Sequence, residues 1–133
     1  IYIMSSIFTR IINGDIPCYK VYEDDNHIAF LDIRPIKLGH LLVVPKKEID
    51  DIFQLDVLQY EDLWRFVRKV AKGMKKSIDC NRIGISVVGL EVPHVHVHLI
   101  PINQITDMNF EGDRDSFSKE QMIQVSKLIS NEI

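Results

Sequence analysis

The chain has only two cysteines, Cys18 and Cys80, far apart and in no Cys-x-x-Cys pattern. A disulfide scaffold or a thiolate zinc site is therefore not expected, and two free thiols suit a reducing cytoplasm. No apolar run approaches the ~20 residues that a spanning helix needs. A charged start followed by an apolar stretch, the mark of a secretory leader, is also missing. No membrane partner is expected. Acids slightly outnumber bases, for a net charge of −3, and the two signs read as interspersed. With no basic stripe, nucleic acid is a poor partner. Repeats, low-complexity segments and a His-Glu-x-x-His helix are all lacking. The length of 133 residues fits one domain with a real core. Met4 reads as the natural start, with Ile1, Tyr2 and Ile3 ahead of it, so one domain over residues 5–133 is expected.

What the chain does have is "PHVHVHLIP", residues 93–101. Three of its five histidines, His94, His96 and His98, occupy alternate positions there. Val95, Val97, Leu99 and Ile100 favour a strand, which Pro101 is expected to end. Residues two apart on a strand share a face. The imidazoles then line one side, facing water, a metal or a substrate, and the valines and Leu99 line a core. The bland alternative is a solvent-facing strand rich in histidine. Three imidazoles in register argue for a site instead.

Around this stretch the pattern alternates strands and helices. Residues 7–12 read as a short helix or turn ended by Asn13-Gly14. Strands are expected at 19–23, 28–31, 40–44 and 83–88, with turns at Asp24-Asp25-Asn26 and at Asp32-Ile33-Arg34-Pro35. Asp56 with Gln59 caps a long helix whose apolar face runs from Leu58 through Leu63, Phe66, Val67, Val70 and Ala71 to Met74. Ser118 with Gln121 caps a last helix over about 118–131. Short links between strands, with helices outside them, predict an α+β fold on a five-stranded antiparallel sheet.

Two chemistries suit the histidine row. A His-x-His pair on a strand can chelate zinc. The outer two histidines lie roughly 13 Å apart along the backbone, so a further ligand has to come from elsewhere, such as His40 or Asp32. Alternatively, a neutral imidazole attacks phosphorus and forms a covalent intermediate, while its neighbours hold the phosphate oxygens.

The stretch from His94 to Ile100 resembles the signature of the histidine triad (HIT) superfamily, three histidines alternating with apolar residues. "SIFTRIINGDIP", "VYEDDNHIAFLDIRP" and "GHLLVVPKKEID" are similar to the family's entry segment, first hairpin and third strand. The resemblance spans nearly the whole chain and is nearest to the Hint-type nucleotide hydrolases, which are mostly homodimers. It implies a HIT-like fold with one long helix and a C-terminal helix. It also implies His96 as nucleophile at the α-phosphate of a purine nucleotide, with His98 on the phosphate. His94 then orients His96 through its backbone carbonyl, and His40 is the fourth histidine of the site. Asp32 matches the acid that binds the ribose hydroxyls. Ile7, Phe8, Ile11, Ile16, Phe30 and Ile33 match the apolar slot for the base, with Phe8 and Ile33 foremost. Without the resemblance, His40 would be an ordinary strand histidine, Asp32 a loop cap, and the apolar six core residues. No cofactor or metal is implied.

This sequence departs from the family at several places. Many bacterial members carry a Cys-x-x-Cys zinc pair where Ser6-Ile7-Phe8-Thr9 stands here. The loop "SVVGLEVPH" is short, Val88 or a neighbour stands where an Asn is usual, and Leu90 replaces a Gln. Glu91 occupies the place of a phosphate-binding Ser or Thr. The implied reactions are phosphoramidate hydrolysis or, alternatively, cleavage of a dinucleoside polyphosphate. A nucleotide-binding protein without turnover is the reading from another class.

Overall fold

The computed structural model describes residues 5–133, so the expected start at Met4 lies outside the described residues. Helix α1 (Ile7–Ile12) is capped by Ser6, whose hydroxyl accepts the Thr9 amide at 3.0 Å. Strands β1 (Lys20–Glu23), β2 (His27–Leu31) and β3 (Leu41–Pro45) follow. Helix α2 (Val57–Ser77), strands β4 (Arg82–Ser86) and β5 (Val97–Ile102), and helix α3 (Lys119–Ser130) complete the order. The five strands form one antiparallel sheet in the order β1-β2-β3-β5-β4. Asp56 and Ser118 cap α2 and α3 through reciprocal bonds with Gln59 and Gln121, as their spacing predicts.

Alternation along the central strands separates two chemistries. Ala29, Leu31, Leu41, Val43, Val97 and Leu99 face α2 and α3 and pack on Leu63, Phe66, Val67, Val70, Met74, Met122 and Ile129. Each fully buried side chain of this size contributes ~1.5–3 kcal/mol. Ile28, Phe30, Leu42 and Val44 pack on the opposite face around Phe8 of α1. His98 shares that second face, because it pairs with Leu42 across β3 and β5. The sheet is thus a wall with a helix-covered back and a front that carries imidazoles.

Two expectations about the histidine stretch are corrected. β5 begins at Val97, so His94 and His96 precede it. Pro93 has no N–H to give, and the Val95 N–H goes off the sheet to the Ile49 carbonyl at 2.7 Å. Pro101 does not end the strand, which pairs it with Ile83 and continues to Ile102. It lies past the last β3 pairing, Leu41 with Leu99, so its missing N–H breaks no ladder there. β4 likewise stops at Ser86, and Val87 and Val88 leave the sheet. Charge is also less interspersed than expected. After Asp62, α2 exposes Arg65, Arg68, Lys69, Lys72, Lys75 and Lys76 with no further acid.

One glycine is required by the path into β3. Gly39 has φ +100°, and a Cβ built there would stand 2.5 Å from Ile78 Cδ1. This left-handed step turns the chain into His40, whose N–H closes onto the Lys37 carbonyl at 2.9 Å.

Candidate active site

His40 stands at the entry to β3, His98 lies in β5, and Asp32 follows β2 directly. The Asp32 N–H donates to the His40 carbonyl at 3.0 Å, continuing the β2–β3 ladder by one step. Sheet pairing therefore gathers residues far apart in sequence onto one front face.

Backbone partners fix where each imidazole carries its proton. His94 Nε2 lies 2.7 Å from the Pro45 carbonyl, so it donates, and Nδ1 accepts from the Ser6 hydroxyl at 2.6 Å. His96 Nδ1 lies 2.7 Å from the His94 carbonyl and must donate. The neutral His96 ring then has a bare lone pair on Nε2. The Ile36 N–H donates to His40 Nδ1 at 3.0 Å, which puts the His40 proton on Nε2. That N–H donates to His98 Nδ1 at 2.9 Å, leaving His98 with its own proton on Nε2. One ring thus offers a lone pair and its neighbour offers a donor.

Burial reinforces the neutral forms. His40 is pushed down to about 3, chiefly by burial and then by the charges of His98 and Arg114. His98 is pushed down to about 4, by burial first and then by His96 and Arg114. Burial also lowers His94, partly offset by the Pro45 carbonyl and Glu48. Asp32 moves the other way: burial raises its carboxyl, against the Arg34 N–H and the Arg114 charge. With His40 uncharged, the 3.7 Å approach of its Nε2 to Asp32 Oδ2 is a dipolar contact rather than an ion pair.

A cavity of about 370 Å³ opens over these rings, within the ~300–1,000 Å³ usual for small-molecule sites. Ile7, Phe8, Asp32, Glu91, His96 and His98 all line it. The Phe8 ring meets His96 edge-on at 4.9 Å and Phe30 at 5.8 Å. Phe30 and Ile11 support Phe8 from behind without reaching the cavity. His40 and His94, both fully buried, also stand behind its wall. Ile33 is 74% exposed and lies off the cavity, as does the half-buried Ile16.

Two residues that the sequence did not mark complete the wall. Phe110 sets its ring edge-on to His98 at 4.8 Å and to His40 at 6.4 Å. Arg114 donates to the Arg34 carbonyl at 2.5 Å and to the Phe110 carbonyl at 3.3 Å. Its guanidinium comes to 4.0 Å from Asp32 Oδ2. Both sit in an irregular segment after β5, where no periodicity flags them. Only an arginine and an aromatic residue in a polar loop could have drawn notice.

Asp32, His40 and His98 also place ligand atoms within 4.8 Å of one another. That set does not present three lone pairs, because His40 Nε2 holds a proton while Nδ1 accepts the Ile36 N–H. To bind a cation, His40 has to release that amide or lose its second proton.

The family model for the HIT domain matches residues 13–105. A HIT-like protein of Borreliella burgdorferi is 34% identical over 96% of this chain and 97% of its own length. The adenosine 5'-monophosphoramidase of Schizosaccharomyces pombe is 37% identical over 74% of each chain. The crystal structure of a Hit-like protein involved in cell-cycle regulation from Bartonella henselae superposes with a TM-score of 0.84 at 30% identity, over 100% of this chain and 99% of that one. The alternating histidines, the α+β fold that places them and these likenesses agree, and the chain belongs to the HIT family.

Proposed function

We propose that this protein hydrolyses a purine nucleotide conjugate at the α-phosphate, with His96 as the nucleophile. The observation that carries this reading is the 2.7 Å bond from His96 Nδ1 to the His94 carbonyl. It leaves the Nε2 lone pair as the ring's reactive position in a cavity wall. His96 Nε2 forms a bond to phosphorus while the P–N or P–O bond to the leaving group breaks. The leaving group keeps that electron pair and takes a proton from solvent. Water then attacks phosphorus, the N–P bond returns its electrons to His96, and water's proton passes to solvent. The nucleoside monophosphate is released. His98, with its proton on Nε2, donates to the phosphate oxygens as charge builds there. Asp32 accepts from the ribose hydroxyls, and Phe8 and Ile7 contact the base. Glu91 sits on the leaving-group side. The likeness to an adenosine phosphoramidase supports a phosphoramidate as substrate. Arg114 favours a second reading, a dinucleoside polyphosphate, because a fixed cation in the cavity suits a leaving group that carries phosphate charge.

We also propose that two copies pair across α2 and the outer edge of β4. β4 ends the sheet, and Ile85 within it is 47% exposed. Trp64, in the groove between α2 and β4, has a buried indole N–H with no acceptor among the described residues. Light scattering at micromolar concentration should give a dimer mass, and a monomer would refute the pairing. A cytoplasmic location is proposed from the two free thiols.

A panel of adenosine and guanosine phosphoramidates and dinucleoside polyphosphates tests the chemistry. Rapid quench into alkaline denaturant, with substrate labelled in its nucleotide part, should trap label on protein in a base-stable, acid-labile bond. Turnover that stops with EDTA and returns with zinc would overturn the histidine mechanism.

A further inference from the structure

Ser6, Thr9, Glu48 and His94 form a closed polar cluster on the side of His94 away from the cavity. The Ser6 hydroxyl lies 2.6 Å from His94 Nδ1, and the Thr9 hydroxyl 3.5 Å from the same atom. Glu48 Oε1 accepts the Ser6 N–H at 2.6 Å and the Thr9 hydroxyl at 2.7 Å. The Thr9 N–H donates to Ser6 Oγ at 3.0 Å. The Ser6 hydroxyl also lies 3.3 Å from Thr9 Oγ1, but its shorter contact is the one to His94. Thr9 gives its hydroxyl proton to Glu48 at 2.7 Å, and the Ser6 hydroxyl gives its proton to His94 Nδ1, the nearer of its two acceptors. The far nitrogen of His94 is held by the Pro45 carbonyl at 2.7 Å. His94 is fully buried, so both of its nitrogens need partners.

We infer that Ser6, Thr9 and Glu48 are positioning residues that act on His96 through His94. The His94 ring is gripped at both nitrogens, and the carbonyl of the same residue holds His96 Nδ1. Loss of either grip would let residue 94 shift as a whole, moving that carbonyl and loosening the His96 tautomer. The same cluster anchors the first turn of α1, which places Phe8 against His96 at 4.9 Å and against His94 at 5.8 Å. The entry helix thus reaches the reacting ring by two routes, a bonded one through His94 and a packed one through Phe8. Glu48 is the only group of the cluster that is ionised throughout the neutral range. Its carboxyl is held below the usual range by the Ser6 N–H and the Thr9 hydroxyl.

The inference rests on His96 being the nucleophile, and two measurements separate the two claims. Nitrogen-15 ring spectra report tautomers whether or not the protein turns over. The intact protein should show His94 protonated on Nε2 alone and His96 on Nδ1 alone. Ser6→Ala should mix the His96 tautomers and lower kcat about tenfold with KM unchanged, because nothing that touches substrate has been removed. Ser6→Thr, which restores a hydroxyl, should recover both signals. Thr9→Val keeps the cap and the helix, and should shift kcat in the same direction by about threefold. It keeps the test open if Ser6→Ala does not fold. Unchanged His96 spectra and kcat in Ser6→Ala, or in Thr9→Val where Ser6→Ala is unfolded, would overturn the positioning role. The stated tautomers, mixing in Ser6→Ala, in a protein that hydrolyses no member of the nucleotide panel would leave the cluster standing and remove the hydrolase reading instead.

Discussion

The floor and the rim of the cavity are built on different principles. On the floor, His96 and His98 are more than nine-tenths buried, and each ring is bonded to a backbone group or to a ring that is itself so bonded. On the rim, residues 88–92 have no regular structure and Leu90 is 88% exposed. Phe110 and Arg114 reach in from a second irregular segment. Ordered side chains with fixed protons suit a reaction that has one geometry. Loosely built rims suit the choice of what leaves. On the proposed reading, rate belongs to the floor and substrate preference to the rim, and each half can be broken separately.

The largest break is His96→Ala. Turnover should fall by on the order of 10⁶-fold, the scale seen when a covalent nucleophile is removed, while isothermal titration still detects the product monophosphate. Wild-type rates in this variant would end the assignment. His98→Ala removes one donor to the developing charge, so steady-state kinetics should show a loss of about 10²–10³-fold. A loss as deep as that of His96→Ala would give His98 a larger part than donation.

Acid should unsettle the floor before the rim. Free histidine protonates near 6.5, whereas the folded chain holds His98 at about 4 and His40 at about 3. Above pH 6.5 neither folded nor unfolded chain takes these protons, and the contribution is constant. As pH falls from 6.5 toward about 4, only the unfolded chain gains them, so stability should drop by a few kcal/mol. Urea midpoints across that range measure the drop, and His40→Asn should flatten it. A midpoint independent of pH would mean that the rings are not held neutral.

Asp32→Ala sits between floor and rim. It should weaken ribonucleotide binding by ~1.5–3 kcal/mol, the range for bonds to a charged group, and erase any preference over 2′-deoxynucleotides. An unchanged ribo/deoxy ratio would remove Asp32 from the ribose. The smallest effect belongs to the rim alone. Leu90→Gln adds an amide at an exposed position and should alter kcat by less than about tenfold, the worth of one net hydrogen bond, with stability unchanged. A larger rise would move part of the rate from floor to rim.

The floor was largely legible in the sequence because its signals are periodic. Alternate histidines pointed to a site, where His96 and His98 line the cavity and His94 stands behind its wall, and the capping residues of α2 and α3 fall where their spacing puts them. The expected strand over residues 93–101 was misplaced at both ends. Proline reads as a stop, yet Pro101 sits where no ladder bond needs its N–H, and the Val95 N–H is drawn to Ile49, a partner that only the folded chain supplies. Ile33 and Ile16 read like apolar wall residues, but a loop tip and a half-buried turn hold them off the cavity. Arg114 and Phe110 were illegible for the opposite reason. Their place depends on how an irregular segment returns to the front of the sheet, which no local pattern encodes. The cation row on α2 could have been counted along the helix, and a net charge of −3 over the whole chain hid it.

The protons of His40, His94 and His96 are set by the Ile36 amide and the Pro45 and His94 carbonyls. Inherited substitutions exchange side chains and leave main-chain amides and carbonyls where they are. A lineage can therefore trade side chains around these rings, Ser6 and its cluster apart, and keep those three main-chain partners. Proline at position 36 is the exception, since it alone deletes the amide on which His40 depends. On the proposed reading, descendants of this chain can vary the rim, and with it the leaving group, while the main-chain partners of the reacting centre stay in place.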